Sequence, residues 1–160
     1  MKFDLTNDFL NELNTLIDAN NTTSILAMVN HCHPADIAEI LDHLDFEKAR
    51  MLFDLLQDNV AADVLVELED DLREDLLKTH SPKEIAEEFV DNMDSDDAAD
   101  IISELPENKK QEVLSHIEDE EHASDIVDLL NYDENTAGGL MAKELIKVNE
   151  NWTVMRCVKE

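Results

Sequence analysis

The sequence predicts an all-α fold, a superhelical stack of short helical hairpins, with the opening of an α/β segment after it. Three observations carry this. Glycine is absent until Gly138 and Gly139. Apolar pairs recur at helical spacing from the start to about Asn131. The same pattern returns after 24 or 25 residues, a period that marks a helix-turn-helix repeat.

Taken in order, residues 1–10 carry acids and lack a basic start and an apolar run, so they are no signal peptide. His33-Pro34-Ala35-Asp36 opens a helix, with Pro at its first position and an acid three residues after the cap. Ser81-Pro82-Lys83-Glu84 is a capping box of the same shape. Five segments align on Leu44, Leu68, Met93, Leu105 and Leu130. Four and three residues before these anchors stand Ile40/Leu41, Val64/Leu65, Phe89/Val90, Ile101/Ile102 and Ile126/Val127. Seven before stand Ile37, Ala61, Ala86, Ala98 and Ala123. Five before stands an acid each time: Glu39, Asp63, Glu88, Asp100 and Asp125. Three units share a second helix, marked by Leu52/Phe53, Leu76/Leu77 and Val113/Leu114. A unit this short cannot bury its apolar face alone, so the units must stack.

The texture changes at Tyr132. Residues 1–131 form the acidic helical-repeat domain, and residues 132–160 form a linker and the start of a second domain. Leu145-Ile146-Lys147-Val148 reads as a strand, Asn149-Glu150-Asn151 as a turn and Thr153 as the cap of a short helix bearing Val154, Cys157 and Val158. One strand and one helix cannot close a core. The expectation is an N-terminal piece of a longer protein, cut inside its next domain.

Composition narrows function. Forty acids against twelve Lys and Arg give a formal net charge of −28. Nucleic acid and anionic membrane surfaces both call for the opposite balance. At 43% hydrophobic residues the chain can build a core and is no disordered acidic tail. Cys32 and Cys157 are too few and too distant for a disulfide framework. No run approaches the 18 or so apolar residues of a membrane span.

Asp96-Asp97-Ala98-Ala99-Asp100 is the segment that bears most on function. Asp100 shares a helix face with both Asp96 and Asp97. Two unit charges roughly 6 Å apart repel by about 0.7 kcal/mol in water, and by about 2.8 at an effective dielectric near 20. A divalent cation removes that repulsion. The alternative is a helix start, capped by Asp94 or Ser95, whose positive end the acids complement. That explains Asp96 and Asp97 well and Asp100 less well, because the dipole effect fades after the first turn. Carboxylates that leave room for water suit Mg2+ best among hard cations. An EF-hand is excluded, since no D-x-[DN]-x-[DN]-G loop exists. The recurring acid of each repeat reads first as a solvated helix edge, with a shared cation-facing edge as the alternative. His31-Cys32-His33 reads as a pre-helix turn and lacks two further zinc ligands at sensible spacing. The other histidines fall on surfaces or helix ends. No P-loop, GxSxG, HExxH or Gly-rich phosphate cradle appears, so no enzyme is expected.

The order of these pieces resembles the MgtE-type magnesium transporters, or magnesium-gated channels. The stretches that carry the resemblance are His33 to Ala38, Ala61 to Leu65, Asp96 to Asp100, and Tyr132 to Met141 with its Ala137-Gly138-Gly139-Leu140-Met141 ending. The resemblance implies a cytosolic N-terminal helical domain, a pair of CBS domains, a connecting helix and a homodimeric membrane pore. It implies Mg2+ ligands at Asp63, Asp96, Asp100 and the backbone carbonyl of Gly139. The partner ligands would lie past Glu160, on the CBS domains and the connecting helix. High Mg2+ would then hold the pore shut. The competing reading is an acidic helical-repeat module that binds a basic protein.

Overall fold

The computed structural model describes residues 5–133, 136–144, 148–149 and 151–159. Helices α1 (Asn7–Asp18) and α2 (Thr22–Val29) form the first hairpin. Helices α3 (Pro34–Asp42) and α4 (Phe46–Phe53) form the second, and α5 (Asp58–Glu67) and α6 (Asp70–Thr79) the third. Helix α7 (Pro82–Glu84) widens into a π-turn, Ile85–Phe89, and tightens into a 3-10 turn, Val90–Asn92. Helices α8 (Ser95–Glu104), α9 (Glu107–Leu114) and α10 (Glu120–Leu129) complete the stack, and α11 (Val154–Cys157) follows. The described residues contain no strand and no helix long and apolar enough to cross a membrane. The strand expected at residues 145–148 falls, except for Val148, outside the described residues. The short helix after Thr153 is present, although the Thr153 side chain makes no capping bond.

Local rules account for the starts. Ser81 N–H donates to Glu84 Oε2 at 2.7 Å, and Glu84 N–H donates to Ser81 Oγ at 3.3 Å, which is the expected capping box. At α3 the Asp36 carboxylate reaches back to the His33 N–H at 3.2 Å. Asp45, Asn21 and Thr6 cap α4, α2 and α1 with side-chain oxygens.

The repeat pattern becomes packing. Leu68, Met93, Leu105 and Leu130 are the C-caps of α5, the 3-10 turn, α8 and α10, and Leu44 lies one residue past that of α3. The chain leaves the helix there, with Leu68, Met93 and Leu105 buried and Leu44 and Leu130 half-buried against the core. The pairs Ile40/Leu41, Val64/Leu65, Phe89/Val90 and Ile101/Ile102 are all buried. In the last unit Ile126 is buried, but Val127 stays 47% exposed. All ten helices from α1 to α10 except α7 supply buried side chains, and these join into one apolar core.

The third unit departs from the others. Met93 and Leu105 are separated by 12 residues instead of 24 or 25, because α7 has no return helix of its own. Helix α9 packs against α7, the π-turn and α8 together. One return helix thus serves two front helices. Helix α3 packs on α5, α5 packs on the π-turn, and α8 packs on α10.

Candidate metal centre

Helix α8 begins where Met93 ends the preceding turn, and its first turn presents Asp96 and Asp97. Ala98, Ala99, Ile101 and Ile102 fix its rotation by burial. That rotation turns Asp97 and Asp100 toward α5 and the Gly139 segment. Two clefts result. One, of about 420 Å³, is lined by Asp97, Asp100, Glu104, Asp70, Arg73 and Gly139, with Val66, Ile101 and Leu140 as its apolar wall. The other, of about 320 Å³, is lined by Asp63, Glu67 and Asp97 with His33, Pro34 and Val66. Asp97 belongs to both.

The structure therefore brings Asp63 near Asp97, and Asp97 and Asp100 near Gly139. It does not bring Asp63, Asp96 and Asp100 into one compact cluster. Asp96 is half-buried and lines neither cleft. No group of three His, Cys, Asp or Glu among the described residues is close enough to hold a metal ion. The carboxylates of both clefts are hard oxygen donors, which fit Mg2+ in kind.

Electrostatics mark Asp97 as the focus. Burial pushes its carboxyl up from the ordinary Asp range, and the negative charges of Asp96, Asp94, Asp100 and Asp63 push it the same way. The family resemblance implies Asp96 and Asp100 as ligands and leaves out Asp97, which the sequence shows only as part of the same acidic motif. A step of about 100° around the helix separates Asp96 from Asp97, and only packing decides which of the two meets α5.

One cation is built into the cleft. The Arg73 Nε donates to Glu104 Oε2 at 3.0 Å and its Nη2 to Glu104 Oε1 at 2.6 Å. Its Nη1 donates to the Leu68 carbonyl at 2.9 Å, and Nη2 also reaches Asp70 at 2.6 Å. The Glu104 bond holds the guanidinium's pKa above its ordinary value, against the pull of burial. Arg73 thereby ties the end of α5 and the start of α6 to α8 across 31 residues.

The start of α8 corrects one expectation. Asp94 occupies the N-cap position, yet its side chain makes no capping bond. The Ser95 N–H donates instead to Glu144 Oε1 at 2.9 Å, and the Ser95 hydroxyl to Glu144 Oε2 at 3.1 Å. Burial pushes the Glu144 carboxyl up, but the bonds from Ser95 and its own N–H, with His122 nearby, bring it below the usual Glu range.

The His31-Cys32-His33 segment is a turn before α3, as expected, and the Cys32 thiol points to the Met28 carbonyl at 3.7 Å. His80 ends α6 as expected, but its ring is more than a surface group. It packs edge-on against Phe53 and Phe89, with centroids 6.0 and 5.1 Å away.

No curated protein sequence matches this chain at a significant level. A solved structure described as the soluble part of a magnesium transporter shares its fold, with a TM-score of 0.81 at 24% identity. The match covers 95% of this chain and 60% of that one, so the chain spans three-fifths of the solved relative's length. Residues 32–135, well over half of the chain, match the family described as the MgtE intracellular N domain. With that family match, the chain belongs to the MgtE intracellular N-domain family.

Proposed function

We propose that the chain is the magnesium-sensing regulatory part of a magnesium transporter or channel, on the cytoplasmic side of the membrane and within a homodimer. Residues 1–131 act as the sensor, and residues 132–160 as the linker and the beginning of the first CBS domain. The observation that supports this reading most is the crowding at Asp97, a part-buried carboxyl raised by burial and by four carboxylates from two helices.

In this reading Asp63, Asp96, Asp100 and the Gly139 carbonyl are the ligands on this side of the interface, and Asp97 joins the cleft of Asp63 to that of Asp100 and Gly139. The CBS domains and the connecting helix supply the other side. Mg2+ contributes two positive charges and a demand for oxygen ligands with retained water. Once neutralised, the carboxylates let the domains close, and the pore shuts. Left charged, they push the domains apart, and the pore opens. The ion shifts this balance only by its preference for the closed arrangement.

The test is protease resistance of a cytosolic protein that includes the CBS pair, titrated with Mg2+ at constant ionic strength. Protection is expected to rise with Mg2+, and to need more Mg2+ in Asp96→Asn and Asp100→Asn. An unmoved protection curve in both variants overturns the site assignment. An equal response to sodium chloride at the same ionic strength favours the acidic interaction module, because screening does not distinguish ions.

A further inference from the structure

The segment Thr136 to Glu144 runs antiparallel along α8. Gly139 lies beside Asp100 and Ser103, and five residues later Glu144 lies at Ser95. Two oppositely charged side chains secure its far end. Lys143 pairs with Asp128 and reaches Asp125 on α10. Glu144 takes both donors of Ser95, a polar residue with no exposed surface. Glu144 is also an unusual occupant of that place. It docks at the start of α8, within a turn of Asp94, Asp96 and Asp97.

The geometry points to Lys143 and Glu144 as positioning residues: an electrostatic latch that seats the Gly139 backbone in the acidic cleft. The pairing with Ser95 and with α10 holds the segment along α8. The purpose of the latch rests on reading the cleft as a cation half-site, but its existence does not.

Amide hydrogen exchange of the full chain tests it, read at Gly139 and Leu140, whose N–H groups bond Thr136 Oγ and the Thr136 carbonyl at 3.3 and 3.1 Å. In the presence of a chelator, Glu144→Gln and Lys143→Met are each expected to speed exchange at these two amides by about tenfold, while α1 to α6 stay unchanged. Lys143→Arg keeps the charge and is expected to keep the slow rate. Met retains the packing of the stem, so a purely structural lysine would tolerate it. Should Glu144→Gln unfold α8, Lys143→Met decides the matter without touching that helix. Unchanged exchange in Lys143→Met, or equal acceleration in the Met and Arg variants, overturns the latch. Mg2+ is expected to slow the wild-type strap. A strap that loosens in Lys143→Met but ignores Mg2+ keeps the latch and overturns the sensing role of the cleft.

Discussion

Replacing Asp97 by asparagine tests the charge argument on its own terms. The substitution preserves shape and removes one negative charge from a part-buried position facing four others. Asp100 lies one turn away, at a separation of roughly 6 Å, so that pair alone contributes about 0.7 kcal/mol of repulsion in water and about 2.8 at an effective dielectric near 20. The opposing effect is the lost interaction with the positive end of α8, worth about 0.3–1 kcal/mol. Repulsion wins, and the raised carboxyl agrees. The variant should be more stable than wild type by about 1 kcal/mol at neutral pH and low salt, a rise in urea midpoint of about 0.5 M. The sign with pH follows from the raised pKa. The folded state binds this proton more tightly than the unfolded state, so wild-type stability increases as pH falls through the folded value. The advantage of the Asp97→Asn variant is therefore full above that value and fades as pH falls toward the unfolded-state pKa. It should also vanish near 1 M salt, where the Debye length is about 3 Å. Urea melts at two pH values and two salt concentrations read all of this. A variant less stable than wild type at low salt, or a gain that salt does not reduce, would refute the crowding argument.

Three further outcomes follow from named contacts. Arg73→Met leaves Glu104 and the Leu68 carbonyl without their partner in a side chain only 11% exposed, and should cost about 2–3 kcal/mol in a urea melt. Phe53→Ala opens the packing against His80 and Phe89; the expected loss is about 3–5 kcal/mol, again by urea. Gly138→Ala would place a methyl 2.3 Å from Tyr132 Cδ1. The Tyr132 ring is half exposed and can swing away, so overall stability should hold while the tyrosine ring signals in NMR move to solvent-exposed values.

The helical body was legible because its rule is local. An apolar pair, a further apolar residue one turn earlier and a leucine or methionine at the exit describe a helix that buries one face and stops, and Ile37, Ile40/Leu41 and Leu44 or Ala98, Ile101/Ile102 and Leu105 behave accordingly. Val127 breaks the rule because burial needs a neighbour on that side, and the pattern cannot report whether one arrives. The candidate site was legible as a concentration of charge in one motif. Its focus was not, because Asp96 and Asp97 differ only in rotation, which the packing of Ala98 and Ile101 sets. The capping of α8 by Glu144 was beyond reach for the same reason as the Arg73–Glu104 pair: partners 49 and 31 residues apart leave no periodic trace. Residues that cap helices locally, such as Ser81 with Glu84, do leave one.

The shared use of α9 constrains how such a chain can lengthen or shorten. A whole hairpin inserted after α4 or α6 would meet a surface shaped for another hairpin, and the array could grow by one module there. Between α7 and α8 no module boundary exists, since both rely on the same supporting rod. Duplication or excision at that junction would orphan a front helix, so that half of the molecule must be inherited as a single block.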